Sequence, residues 1–359
     1  MACLALHLNA MGSEKSEAPA VLPPATARIV TFDSAAQADR RVAGVSAAAR
    51  IARTLGEQGA TRIWLALPGA RLGGATLDDL ERLVPTAVVE AVERGELPAL
   101  VAALGPDHTI VPASVPTASE ILKATARPSD GLVSHWLNRP ISQRLSAMVL
   151  LIPAARPVHV TVFNVLVALA MITVMFLPGG NTGLLLGAIL FHSASVLDGV
   201  DGEMARAAFR SSPSGAALDS AVDMATNLLF LVGITTNLAL RDGDEIGWIG
   251  GWAIVLVIVG ASLIARRTRA GGQPLNFDLL KRSGRIRNPA DLVFWIIQTL
   301  SSRDCFAFLF MALTVVGQER TALWIFATVA TIWFTYLLIS LWIGAHPDWR
   351  RGHSVGRGA

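Results

Sequence analysis

Residues Asp198–Asp223 read DGVDGEMARAAFRSSPSGAALDSAVD, four aspartates set into a strongly apolar region. Asp198 and Asp201 stand i, i+3 and so share one helix face. Asp219 and Asp223 stand i, i+4 and share another. The break Arg210–Ser214 (RSSPS) turns the chain back, so two helices direct two carboxylates each at one volume. Carboxylates in an apolar segment are costly and usually functional. Four together must be neutralised by protonation or by a cation. Oxygen-only ligands select a hard divalent ion, Mg²⁺ or Mn²⁺. Four shared carboxylates suit two such cations about 3.5–4 Å apart, the arrangement that serves in-line displacement at phosphorus. Gly202 and Ala205 lie on the Asp198/Asp201 face and leave room for a bulky ligand, and Arg206 offers a planar fork to a phosphate. The plainer reading makes these aspartates helix caps. Asp219 could serve so, but Asp223 lies a turn further in, where capping does nothing.

The rest of the chain places this stretch in a membrane. Of 359 residues 52% are hydrophobic and only 16% charged, with a net charge of +3. A soluble domain carries about 25% charged residues, so disorder, a nucleic-acid-binding arm and an ordinary cytosolic enzyme are excluded. The two cysteines, Cys3 and Cys305, imply no disulfide framework. Six apolar stretches, near 158–178, 182–199, 215–239, 247–265, 291–316 and 321–344, approach the roughly 20 residues of a membrane helix. Basic residues gather in Arg266–Pro289 and after His346, while Pro178–Gly183 and Arg241–Gly247 are poor in them. The positive-inside rule then predicts cytoplasmic termini and a cytoplasmic site. Trp248, Trp252, Trp295, Trp324, Trp342 and Trp349 fall near span ends, as an aromatic belt would.

Five regions are expected. Residues 1–27 form a loose tail without a basic leader. Residues 28–128 form a soluble α/β domain. Its strands are Arg28–Phe32 and Thr61–Leu67, and its helices Val42–Gln58, Leu77–Leu83 and Pro85–Glu93. Alternation of strand and helix predicts a parallel sheet. No glycine-rich phosphate loop is present. Residues 129–152 carry Ile141, Leu145 and Val149 at helical spacing opposite Gln143 and Arg144, an amphipathic helix at the membrane surface. Residues 153–345 form the six-helix membrane domain, and 346–359 a cytoplasmic tail.

The spacing Asp198-x2-Asp201-Gly202-x2-Ala205-Arg206-x8-Gly215-x3-Asp219-x3-Asp223 resembles the full signature of the CDP-alcohol phosphotransferase (phosphatidyltransferase) family. That resemblance implies a six-helix membrane homodimer with a cytoplasm-facing, two-cation site. It implies a CDP-alcohol donor, CDP-diacylglycerol or a CDP-polyol, and an acceptor hydroxyl on a polyol phosphate or lipid. The product is a phosphodiester and CMP leaves. It assigns Asp198, Asp201, Asp219 and Asp223 to cation ligation, Asp223 also to the general base, and Gly202, Ala205, Arg206 and Gly215 to the nucleotide. A narrower resemblance links Asp130-Gly131-x2-Ser134-x3-Asn138-Arg139-x-Ile141-Ser142 to the joining segment of fused cytidylyltransferase / di-myo-inositol phosphate phosphate synthase proteins. The domain before it is similar in element order to a sugar nucleotidyltransferase, in degenerate form because the glycine loop is missing. A second departure is Val158, where the family often has Asn.

Other polar residues carry weaker readings. Arg303 and Asp304, within the expected fifth span, and Lys281 and Arg282, in the basic loop, are candidates for acceptor binding. A structural ion pair serves Arg303 and Asp304 equally well. Thr226 and Asn227 continue the Asp223 face. His192 lies off it and reads as a helix contact. The competing functions are a transporter and a non-catalytic cation- or nucleotide-binding membrane protein. The position of the carboxylates toward the cytoplasmic end, with no repeated half-pattern, disfavours a transporter.

Overall fold

The computed structural model describes residues 27–106, 108–127, 130–176, 180–270, 299 and 302–345. The chain divides into two compact units, Met1–Thr117 and Ala118–Ala359.

The first unit is built on a four-stranded, all-parallel sheet. Its strands are β1 (Ala27–Thr31), β4 (Arg62–Leu67), β5 (Val88–Glu93) and β6 (His108–Pro112), in the order β5-β4-β1-β6. A parallel strand covered on both faces reads as an unbroken apolar run. Ile63–Leu67 are accordingly all buried, as are Ile29, Val30 and Phe32 on and just after β1. Helices α1 (Ala35–Asp39), α2 (Ala47–Glu57), α3 (Gly74–Leu83) and α4 (Leu97–Leu104) complete it.

Two expectations are corrected here. Residues Pro85–Glu93 do not form a helix: Val88–Glu93 is a strand, paired with β4 from Arg62↔Val88 to Leu67↔Glu93. The β-branched valines suit the pleat, and the bonding edge offered by β4 overrides a local pattern that is not strongly helical. The helix expected from Val42 begins at Ala47 instead. Before it runs a hairpin, β2 (Arg41–Val42) with β3 (Val45–Ser46), turned on Ala43 at φ +47° and Gly44 at φ +81°. Two successive left-handed residues are what a two-residue hairpin turn requires. Arg50, inside α2, braces this turn by donating to the carbonyls of Val42 and Ala43 at 2.8 and 3.1 Å. Helix α4 and strand β6 were not anticipated.

The second unit is helical. It opens with α5 (Ala118–Ala124), a π-type turn Ser134–Asn138 and α6 (Arg139–Val149). Then come α7 (Pro157–Phe176), α8 (Gly180–Ala207), α9 (Pro213–Asp242), α10 (Asp244–Ala270), α11 (Arg303–Val315) and α12 (Glu319–Ala345). Among the described residues five helices, α7, α8, α9, α10 and α12, are long and apolar enough to cross a membrane. Of the expected fifth span, 291–316, only Thr299 and the segment from Ser302 are described, and that segment includes α11. Lys281, Arg282, Trp295 and Trp349 lie outside the described residues.

The core of the helical unit is aromatic. Phe191 of α8 stacks on Phe230 of α9 with ring centroids 4.0 Å apart, and Phe306, Phe310 and Phe326 extend the cluster. Helices α7 and α8 pack closely because Gly187 has no side chain: a Cβ there would lie 2.4 Å from Met175 Cγ. Val162, Phe163, Leu166 and Leu169 on α7 remain exposed, as a lipid-facing surface demands. Trp248 (80% exposed), Trp252, Trp324 and Trp342 also point outward. Arg241 pairs with Asp242 and Glu319 at 2.8 and 2.7 Å, and Arg320 with Asp242 at 2.8 Å, tying α9 to α12.

Candidate active site

Helices α8 and α9 run back on each other through Ala208–Ser212, and this return brings the aspartates together. Ser212 caps α9 by accepting from the Gly215 N–H at 3.0 Å, and Pro213 occupies the first turn, where it loses no hydrogen bond. Asp198, Asp201 and Asp219 each offer a carboxylate oxygen, all within 4.8 Å of one another. Asp223, one turn along α9 from Asp219, lies beside this trio and pairs with Arg303 Nη1, which is also 3.4 Å from Asp198. Asp201 is buried; Asp198, Asp219 and Asp223 are partly buried.

The donor set fits a divalent cation. It consists of carboxylate oxygens alone, and the buried Asp201 Oδ1 has no hydrogen-bond partner among the described residues. Its other oxygen accepts from Thr161 Oγ1 of α7 at 2.6 Å, which fixes the carboxylate's orientation. Thr161 belongs to the segment Pro157–Thr161, so the Val158 departure leaves this contact intact.

Gly202 and Arg206 sit together as the spacing implies: a Cβ on Gly202 would lie 3.0 Å from Arg206 Nη1. Arg206 Nε donates to the Thr125 carbonyl at 3.0 Å, so its guanidinium is held across the face that Gly202 leaves open. Ala205 lies between them on α8, partly buried. Gly215 stands at the start of α9, where its N–H serves the cap.

Arg303 and Asp304 begin α11 after the N-cap Ser302. Their side chains meet different partners. Arg303 enters the aspartate cluster, whereas Asp304 accepts from Ser195 Oγ and from Asn138 Nδ2, the latter at 3.1 Å. Thr226 returns its hydroxyl to the Val222 carbonyl at 2.8 Å, and His192 lies 5.9 Å from the Phe308 ring, both helix contacts.

Sequence reasoning passed over Glu203. It is fully buried, at 0% exposure, and accepts from Ser142 Oγ and Ser146 Oγ at 2.7 Å each and from Arg139 Nη1 at 2.9 Å. Arg139 also grips Asp130 through Nε and Nη2 at 2.9 and 3.0 Å. Burial opposes the Asp130 carboxylate, but these bonds, the Arg139 charge and the Arg127 N–H hold it below the usual range. The usable signal was the i, i+4 pair Ser142 and Ser146, set beside an aliphatic row. Helix α6 has two inward surfaces. Leu145 and Val149 pack on Val160, Val200 and Met204, while Ser142 and Ser146 clasp Glu203. Ile141 and Met148 stay exposed. Gly199 allows this approach, since a Cβ there would lie 3.0 Å from Ser142.

Three relatives, each named a bifunctional IPC transferase and DIPP synthase, align with the chain. That of Thermococcus kodakarensis is 29% identical over 257 residues, 68% of this chain and 55% of the relative. That of Aquifex aeolicus is 28% identical over 205 residues, 57% and 44% respectively. That of Rubrobacter xylanophilus is 35% identical over 145 residues, 40% and 30% respectively. The chain thus spans about half the length, or less, of the curated relatives it matches. The family profile described as CDP-alcohol phosphatidyltransferase matches residues 154–333, half of the chain and all four aspartates, so the chain belongs to the CDP-alcohol phosphatidyltransferase family, a membrane family of transferases.

Proposed function

We propose that the chain transfers a phosphoalcohol group from a CDP-alcohol to an acceptor hydroxyl, releases CMP, and requires divalent cations, Mg²⁺ or Mn²⁺. The convergence of Asp198, Asp201 and Asp219 on one volume, with Asp223 beside them, carries this reading. Asp198, Asp201, Asp219 and Asp223 hold the cations. Bound there, the cations supply Lewis-acid stabilisation of the charge that develops on the diphosphate. Thr161 orients the Asp201 carboxylate. Gly202, Ala205, Arg206 and Gly215 receive the nucleotide, with Arg206 supplying donors to phosphate oxygens. Asp223 accepts the proton as the acceptor oxygen attacks the phosphorus carrying the alcohol. The new P–O bond forms while the bond to the CMP oxygen breaks, and CMP takes the bonding pair.

The resemblance of residues 130–142 to the joining segment of di-myo-inositol phosphate phosphate synthase proteins favours a polyol phosphate over a lipid hydroxyl as acceptor, with Arg303, Asp304, Lys281 and Arg282 as candidate contacts. Cytoplasmic termini and site, a homodimer, and a surface-lying α6 complete the proposal. The exposed Trp136, Ile141 and Met148 support that placement of α6. The first unit serves a structural or regulatory role. The segment Asp33–Ala43 after β1 holds no glycine to cradle a phosphate.

The test is CMP release by the detergent-solubilised protein with Mg²⁺ or Mn²⁺, across a panel of CDP-alcohols and acceptors, beside Asp223→Asn. Cation-dependent release with one donor, lost in the variant, is expected. Cation binding without release from any pair would favour a binding protein. No cation binding at all would refute the transferase reading.

A further inference from the structure

The four aspartates are not equivalent. Asp198, Asp201 and Asp219 form the close trio, and Asp223 stands outside it, paired with Arg303. The same Arg303 nitrogen lies 3.4 Å from Asp198, so one guanidinium bridges the edge between the trio and the fourth carboxylate. Its side chain is only 12% exposed, and Nε and Nη2 have no hydrogen-bond partner among the described residues. Nearby Asp304 is engaged by Ser195 and Asn138. Arg303 is therefore held in the cluster by Asp198 and Asp223, and the rest of its polar surface is uncommitted.

A guanidinium stays charged at any working pH and cannot ligate a cation. A divalent ion shared by Asp198 and Asp223 would sit against it and be repelled. We propose that Arg303 is the built-in counter-ion of this site, so that cations load unequally: the trio accepts the first, and the Asp198/Asp223 edge accepts a second only when Arg303 withdraws. This rests on the reading of the aspartates as cation ligands. It adds an order of occupancy and names the residue that sets it.

Binding of Mn²⁺ to the detergent-solubilised full chain, counted from the free-ion electron paramagnetic resonance signal, tests the proposal. The wild type is expected to show a tighter and a weaker class of site. Arg303→Met should tighten the weaker class by about tenfold or more, since a positive charge has gone from beside a dication, and tighten the tighter class by less, through Asp198 alone. Arg303→Lys should stay close to the wild type. Melting in EDTA is the second measurement. Arg303→Met should melt lower there, its coupling to Asp223→Asn should be measurable, and saturating Mn²⁺ should abolish both effects. A weaker class unchanged or loosened in Arg303→Met, or a coupling that persists under Mn²⁺, would overturn the proposal and make Arg303 a group fixed in place whatever the cation occupancy. A wild type that binds no Mn²⁺ would overturn the cation-ligand reading itself, a distinguishable result.

Discussion

Replacing Glu203 by leucine removes the acceptor that holds α6 onto the aspartate-bearing α8. The wild-type carboxylate is fully buried and takes two serine hydroxyls at 2.7 Å and one guanidinium nitrogen at 2.9 Å. Breaking a buried ion pair by removing one partner costs about 3–5 kcal/mol. Arg139 keeps its two bonds to Asp130, so its charge is not stranded, and the lower end, about 3 kcal/mol, applies. For a unit of this size each kcal/mol moves the melting temperature by about 2–4 °C, so a fall of roughly 6–12 °C is expected. The assay is tryptophan-fluorescence melting of the detergent-solubilised protein, all variants at one scan rate. The double variant Glu203→Leu with Arg139→Met should lose less than the sum of the two singles, because each single already breaks the Arg139–Glu203 pair and that loss is counted once in the double. CMP release should fall as well, since Glu203 is two residues from Asp201 on the same helix. A Glu203→Leu protein melting within about 2 °C of the wild type would refute the reasoning, because a buried carboxylate with three donors cannot be that dispensable.

Thr161→Val should raise the Mn²⁺ concentration needed for half-maximal CMP release by about 10–100-fold with little change in melting, because only the bond that orients Asp201 is lost. Asp130 has a folded pKa held below its unfolded value of about 3.9. Its contribution is therefore complete above that value and lost as pH drops through the lower folded one. The melting gap between wild type and Asp130→Asn should be constant at neutral pH and close only in strong acid. Ala43→Gly should stabilise the first unit by about 0.5–1 kcal/mol by relieving a left-handed φ, read as slower hydrogen exchange in peptides spanning Arg41–Leu55.

What the sequence disclosed followed from how local each signal is. The aspartate spacing could be read directly, because i, i+3 and i, i+4 fix a helix face without any tertiary knowledge, and the membrane helices were legible because a span must be apolar along its whole length. Strand β5 was not legible. Its residues VVEAVE have no period of their own and become a strand only because β4 offers them an edge. Glu203 was hidden for a related reason. Within α8 it is one more charged residue after Asp201, and its role depends on a helix some sixty positions earlier that presents Ser142 and Ser146 to it. Arg303 was legible as an expensive charge in an apolar stretch, but its pairing with Asp223 spans a sequence separation that no local pattern encodes.

The distribution of charge inside the helical unit separates structure from chemistry. Where α9, α10 and α12 meet, Arg241 and Arg320 face Asp242 and Glu319 in direct pairs, acid matched by base, as a purely structural ion network should be. At the other cluster Glu203 and Asp130 share Arg139, and Arg303 answers Asp223 and part of Asp198. Asp201 and Asp219 then have no cation of their own among these pairs. A fold selected for stability alone would remove that excess, because an unmatched buried carboxylate costs more than the apolar residue that could replace it. Asparagine at either position would keep the shape and much of the hydrogen bonding. Among the described residues this acid excess is unmatched, so protonation or a further positive partner must neutralise it, and as that partner an all-oxygen set of this kind favours a hard divalent ion. On this ground Asp201→Asn and Asp219→Asn should each raise the melting temperature measured in EDTA while lowering the affinity for Mn²⁺. A loss of stability in EDTA for both would show that the excess is already balanced within the protein, and the case for an external cation would fall with it.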